Sequence, residues 1–158
     1  MSNLFLFRHA EPDENGFISE RGVKQLEYAK MFIQQVSENK GLEIIPFFSA
    51  SRSVRSLESA IILAKKLETY DPILEIEQDL LGAVNPEEFQ SRYGDRNTKD
   101  PLLHIKIGHD QYVHKFPEWL SGETCKKWDF KNYEYCDGLY ANVQTGEIIN
   151  FKNPIQKD

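Results

Sequence analysis

The sequence predicts an α/β fold: one three-layer α/β/α domain over residues 1–158, with a mostly parallel central sheet and a C-terminal hairpin. Three observations predict it. Short apolar runs alternate with longer stretches of helical periodicity, the order expected when parallel strands are joined by helices. The first run, Asn3 to Phe7, is nearly continuous rather than alternating, as in a strand covered on both faces. Beyond Gly122 the pattern turns to aromatic, alternating segments, and Gln144-Thr145-Gly146-Glu147 sits between Leu139–Val143 and Ile148–Phe151 as a hairpin turn.

After the first strand, Ser19 is a good N-cap with Glu20 in the first turn. Val23, Leu26, Phe32, Ile33 and Val36 then recur at helical spacing up to a stop at Glu38-Asn39-Lys40-Gly41. Ile44 to Ser49 reads as the second strand. Leu57, Ala60, Ile61, Ala64 and Leu67 form the buried stripe of the next helix, which Tyr70-Asp71-Pro72 ends. Ile73 to Ile76 is a further strand, and Asn85-Pro86 caps a short helix through Glu87, Glu88 and Phe89. Leu102 to Ile107 is the strand before Gly108-His109. Tyr112 to Leu120 reads as a helix in which Pro117 either starts a turn or kinks it.

An open parallel sheet places its ligand site at the carboxyl ends of its strands. Arg8-His9 stands at one such end and Gly108-His109 at another. A strand that delivers Arg-His to its end suggests a phosphate site built around a histidine nucleophile. A neutral imidazole nitrogen can attack phosphorus when its other ring nitrogen is held as a donor by a backbone carbonyl. Taken alone, a histidine is more often a satisfied polar residue beside a core. The order of the motifs carries more weight than any one of them.

That order resembles the histidine phosphatase superfamily, the phosphoglycerate mutase-like proteins. Arg8-His9-Ala10 is similar to the family's opening Arg-His-Gly or Arg-His-Ala. Ile18-Ser19-Glu20-Arg21-Gly22-Val23-Lys24-Gln25 is similar to its Leu-Thr-x-x-Gly-x-x-Gln segment. The family's Ser-Pro-Leu-x-Arg-Ala-x-Gln-Thr-Ala motif is degraded here to Ser51-Arg52-Ser53-Val54-Arg55-Ser56-Leu57-Glu58-Ser59-Ala60, which keeps the arginine, the last alanine and a hydroxyl before it. The Gly-His motif stands at Gly108-His109. The likeness runs in order over about residues 3 to 120. It implies His9 as the nucleophile that carries the phosphoryl group, with Arg8, Arg55 and His109 as the clamp on its oxygens. Arginine suits the clamp because its planar fork can meet two phosphate oxygens at once. Arg55, not Arg52, has the family spacing to Ser59-Ala60.

Many members of the family carry a glutamate after the third strand that protonates the leaving oxygen. Gln78 stands at the corresponding distance before Gly82, so the acid is unassigned among Glu77, Asp79, Glu87, Glu88 or none. Each of these is ordinarily a solvated surface carboxylate. Glu11 is near His9 in sequence, but its direction is open. The stretch from Leu81 to Leu102 is short for a substrate-covering insertion. These features, with Glu118-Trp119-Leu120-Ser121-Gly122-Glu123 after Gly108-His109, look like the small SixA-type phosphohistidine phosphatases. That type usually has Asn-Pro after Gly-His, where this chain has Asp110-Gln111. The expected substrate is a phosphorylated protein side chain such as phosphohistidine. The alternatives are a small phosphorylated molecule, hydrolysed by a phosphomonoesterase, and a phospho-ligand that a non-catalytic module only binds.

Composition bounds the remaining classes. With 40% hydrophobic residues in 158, the chain can bury a proper core without metals or disulfides. The net charge of −6 speaks against a nucleic-acid partner, although a few cations converging in one cleft can still hold a phosphoryl group. No membrane partner is expected, because no 18-residue apolar run exists. The N-terminus lacks the flanks of a signal peptide, and a cytoplasmic location is expected. Cys125 and Cys136 are expected to remain thiols. His104, His109 and His114 are five residues apart and share no face of a strand or helix, so neither a metal nor a cofactor is expected. Asp110 and His114 stand i, i+4 and can pair on a helix surface. Oligomeric state, and a role for the aromatic tail around Trp128, Tyr133 and Tyr135, do not follow from the sequence.

Overall fold

The computed structural model describes residues 3–43, 46–69, 73–77, 103–121 and 133–156. Its strands are β1 (Asn3–Arg8), β2 (Pro46–Ala50), β3 (Ile73–Ile76), β4 (Leu103–Gly108), β5 (Gly138–Asn142) and β6 (Ile148–Phe151). Its helices are α1 (Glu20–Lys40), α2 (Val54–Lys66) and α3 (Asp110–Ser121). The six strands form one sheet in the order β3-β2-β4-β1-β5-β6. β1, β2, β3 and β4 pair in parallel, β5 adds antiparallel to β1, and β6 adds antiparallel to β5. The sheet is therefore mostly parallel, with the expected hairpin at its far edge.

Alternation along the strands builds two cores. Phe5 and Phe7 of β1, Phe48 and Ala50 of β2, and Ile105 and Ile107 of β4 pack with the buried stripes of α1 and α2. Leu4 and Leu6 point the other way, to Tyr112, Val113 and Phe116 of α3. Helices on both faces of the sheet make the three layers that the sequence predicts.

Ser19 caps α1 by accepting the Gly22 amide, and Gly41 closes it in the left-handed conformation, accepted by Glu38 and Ser37 carbonyls. The stripe of α1 is Leu26, Ala29, Phe32, Ile33 and Val36, whereas Val23 is 36% exposed. In α2, Ala60 and Ala64 are buried and Leu57 and Leu67 partly buried, as expected, whereas Leu63 is fully buried and Ile61 is 45% exposed. The stripe advances by 3.6 residues per turn, and Ala60, Leu63 and Ala64 follow it toward the sheet while Ile61 is rotated away. The second strand is described over Pro46–Ala50, the first two residues of its expected range lying outside the described residues, and the last helix starts at Asp110 with Pro117 in its interior. The Asn85-Pro86 helix, the Tyr70-Asp71-Pro72 stop, Cys125 and the Leu81 to Leu102 stretch lie largely or wholly outside the described residues. Cys136 is a free, buried thiol, and burial pushes its pKa far above the usual thiol range, with Asp137 adding to the shift. Among the described residues, no helix is long and apolar enough to cross a membrane.

Gly138 shows why the hairpin sits so close to the site. A Cβ there would lie 2.2 Å from the Leu6 carbonyl oxygen and 2.5 Å from the Phe7 ring, so only glycine lets β5 lie against β1.

Candidate active site

β1 and β4 run side by side in register, Arg8 opposite Gly108, so their carboxyl ends bring Arg8-His9 beside His109. The His9 amide donates to the Gly108 carbonyl at 2.9 Å and fixes the two segments together. The His9 and His109 rings lie 5.1 Å apart. Arg55 arrives from the first turn of α2, where Ser53 is the N-cap. Its Nε donates to His9 Nε2 at 3.1 Å. Arg8, His9, Pro12, Arg55, His109, Asp110 and Tyr135 line one cavity of about 440 Å³. The four expected site residues thus come together from three elements distant in sequence.

Short side chains set these positions. Ser59 Oγ donates to the Arg55 carbonyl at 2.6 Å and accepts the Ala10 amide at 3.1 Å, which ties α2 to the residue after His9. Gly22 packs so tightly on the other side of the loop that a Cβ would meet the Glu11 carbonyl at 2.5 Å. Gln25 Oε1 accepts the Glu11 amide. The degraded motif and the glycine-glutamine segment therefore brace the loop that carries His9. Glu11 itself turns to Ser19 and Arg21 and is spent on the α1 cap.

The His9 ring is held in one tautomer. Nδ1 donates to the Ala10 carbonyl at 2.9 Å, which leaves Nε2 with its lone pair facing Arg55. His9 is 4% exposed, and its pKa is lowered to about 3. Burial is the largest cause, opposed by the Ala10 bond and reinforced by His109, Arg55 and Arg8. The imidazole is neutral at pH 7. The pKa of His109 is also lowered, by burial first and then by Arg55 and Arg8. Its Nε2 is 3.1 Å from Ser51 Oγ and 3.5 Å from Ser53 Oγ.

The other histidines have separate fates. His104 is buried against the Phe47 ring, and His114 is exposed. Among the described residues, no group of three His, Cys, Asp or Glu side chains converges as a metal would need. Of the candidate acids, Glu77 pairs with buried Lys106 across the end of the sheet. Asp79, Glu87 and Glu88 lie outside the described residues. Asp110, expected only to pair with His114, lines the cavity, and its Oδ1 accepts the Tyr133 amide at 3.2 Å. Pro12 lines it too, and so does Tyr135, the aromatic lining residue that the motifs did not reveal. Its position among alternating aromatics gave the only signal, and that pattern does not distinguish a core ring from a cavity wall.

The same arrangement of strands and helices occurs in solved structures. The protein histidine phosphatase SixA complexed with tungstate matches with a TM-score of 0.63 and 12% identity, over 95% of this chain and 94% of that one. Phosphoglycerate mutase from Plasmodium falciparum matches with a TM-score of 0.56 and 14% identity, over 98% and 92%. A mutant phosphoserine phosphatase from Entamoeba histolytica in complex with phosphoserine gives 0.56 and 13%, over 99% and 98%. No protein-family model matches the chain, and no curated protein matches it in sequence. At these identities the likeness is one of fold: the chain has the fold of the phosphoglycerate mutase-like histidine phosphatases.

Proposed function

We propose that the chain is a phosphatase that works through a phosphohistidine intermediate on His9 and acts on a phosphorylated protein side chain such as phosphohistidine. One observation carries this reading. His9 keeps Nδ1 on a backbone carbonyl and presents a neutral Nε2 within a cavity that also holds Arg8, Arg55 and His109.

In the first step His9 Nε2 forms a bond to phosphorus while the bond to the leaving atom breaks, and the leaving group departs with that electron pair. Arg55 gives up its contact with Nε2 and turns its donors to the phosphoryl oxygens as they enter. Arg8 and His109 complete the clamp, and the charge of the transferred group rests on fixed donors in a partly water-excluded site. Water then attacks phosphorus, the N–P bond breaks, and inorganic phosphate leaves with His9 neutral again. No step draws on a metal or a cofactor.

The phosphoprotein reading rests on leaving groups. Glu77 already pairs with Lys106 and lies outside the residues that line the cavity. A phosphoramidate or aryl phosphate needs less proton donation than an alkyl phosphate. The fold likeness to a protein histidine phosphatase agrees with this reading. A phosphomonoesterase for small molecules is the second reading, and Asp110 favours it by placing a carboxylate at the cavity wall.

The test is turnover of a phosphohistidine protein, an aryl phosphate and a sugar phosphate by the purified chain, before and after exhaustive chelation. Phosphohistidine and aryl phosphate are expected to react well and the sugar phosphate poorly, with no loss on chelation. A sugar phosphate processed as fast as the aryl one overturns the phosphoprotein reading. No turnover of any of the three overturns the enzyme.

A further inference from the structure

We infer that Tyr135 is a positioning residue for Arg8: its ring holds the guanidinium where a phosphoryl oxygen meets it. The inference rests on the phosphoryl-site reading above but not on turnover.

The Arg8 side chain has one hydrogen bond among the described residues. Its Nη1 donates to the Tyr133 carbonyl at 2.8 Å. Its Nε is sealed from solvent and has no hydrogen-bond partner among the described residues. A guanidinium tied at one nitrogen can swing about that bond. The Tyr135 ring supplies the second restraint, with Arg8 Cζ 4.3 Å from the ring centroid. Stacking of this kind fixes the plane of the cation and offsets the water it has lost. The same ring lies 5.6 Å from the His9 ring and lines the cavity, so one aromatic face orders both residues of the Arg-His pair.

The turn that carries Tyr135 is built to stay in place. The Arg8 amide donates to the Asp137 carbonyl, and the Cys136 amide donates to the His9 carbonyl. Cys136 holds φ at 60°, a conformation that costs energy for a residue with a Cβ and persists only where its surroundings fix it. The buried Asp137 carboxylate accepts the Glu134 and Asn153 amides, Gln156 Nε2 and Lys152 Nζ. Asp110 anchors the start of the turn through the Tyr133 amide. The contacts that a guanidinium needs are thus delivered from the C-terminal arm, not from the strand that bears Arg8.

The experiment is calorimetric binding of inorganic phosphate to the full chain carrying Tyr135→Leu, Tyr135→Phe, Arg8→Ala, or Arg8→Ala with Tyr135→Leu, together with kcat and KM on an aryl phosphate. Tyr135→Leu is expected to weaken phosphate binding about 5- to 30-fold and to raise KM more than it lowers kcat, while melting like wild type. Tyr135→Phe keeps the ring face and is expected to stay within about twofold. In the Arg8→Ala background the leucine substitution is expected to add nothing. The Arg8 side-chain proton signals of the wild type, identified by their loss in Arg8→Lys, are expected to show the upfield shift of a proton over a ring. That measurement decides the matter if Tyr135→Leu fails to fold. Phosphate binding unchanged by Tyr135→Leu, a loss as large in Tyr135→Phe, a full effect persisting without Arg8, or unshifted Arg8 signals would each overturn the inference. Variants that follow the expected binding pattern while no form turns over substrate uphold Tyr135 and overturn the phosphatase.

Discussion

The parallel half of the sheet and the antiparallel arm contribute to the same cavity in different ways. β1, β4 and the start of α2 deliver Arg8, His9, His109 and Arg55, the groups that the proposed reaction places around the phosphoryl group. The arm from Tyr133 through β5 and β6 to Gln156 delivers the contacts that hold Arg8 and His9 from behind. Chemistry concentrates where strands end. Stiffness comes from where the chain returns, and it can be lost without losing a single reacting group.

The largest expected effect belongs to the parallel half. His9→Ala is expected to lower turnover by at least about a thousandfold while the chain still folds. Phosphoryl label trapped on the wild type should be labile to acid and stable to alkali. Label that persists in His9→Ala, or that survives acid, removes His9 from the mechanism. Arg55→Ala and His109→Ala are expected to cost about a hundredfold or more each in kcat, since each removes a donor to the transferred group.

Next in size is the response to acid. His9 has a pKa of about 3 when folded and the ordinary value of 6.5 when unfolded. Below pH 6.5 the unfolded chain binds this proton and the folded chain does not. The contribution is therefore fully present above pH 6.5 and is lost as pH falls toward 3, by at most about 5 kcal/mol. Urea unfolding of wild type and His9→Ala across this window should show the wild type losing stability relative to the variant. Parallel curves would mean that His9 charges freely in the folded chain. The rate of the first step should likewise show no acid limb from His9 near pH 6.5.

Asp137→Ala breaks the arm instead of the chemistry. It leaves buried donors from Glu134 and Asn153 without their acceptor, which is expected to cost about 2–4 kcal/mol. Urea midpoints should fall accordingly, and aryl phosphate turnover should fall no further than in Tyr135→Leu. A drop in kcat as large as that of Arg55→Ala, at unchanged stability, would place Asp137 in the chemistry and erase the distinction between the two halves.

The two halves also differ in how far the sequence disclosed them. Arg8, His9, Arg55 and His109, which the family resemblance singled out, line one cavity, while strand β1 and the Ser19 cap were legible because apolar runs and caps depend on local chemistry. The hairpin was legible for the same reason. Tyr135 was not, since its partner Arg8 lies more than a hundred residues away and the contact follows from β5 pairing with β1. Asp110 was misread as a surface residue for a related reason: the Tyr133 amide that it accepts comes from a turn that no local pattern brings to α3. Ile61 shows a smaller failure: the phase of α2 turns it outward and Leu63 inward, while Ala60 and Ala64 keep the expected stripe.

Asp110 carries the smallest expected effect and separates the two substrate readings. Asn keeps an acceptor for the Tyr133 amide and removes only the charge, so Asp110→Asn should preserve the turn. If leaving-group quality controls the rate, kcat on phosphohistidine and aryl phosphates should stay within about tenfold, less than the roughly hundredfold lower limit for loss of a general acid. KM should fall slightly, because a carboxylate at the wall repels an incoming phosphate dianion. The contrary result is a sugar or alkyl phosphate that the wild type handles as well as an aryl phosphate and that Asp110→Asn handles a hundredfold or more worse. Asp110 would then be the proton donor to the leaving oxygen, and the small-molecule phosphatase would replace the phosphoprotein one. A loss shared equally by aryl and alkyl substrates would instead trace to Tyr133 and Arg8, which the phosphate affinity of the variant would register directly.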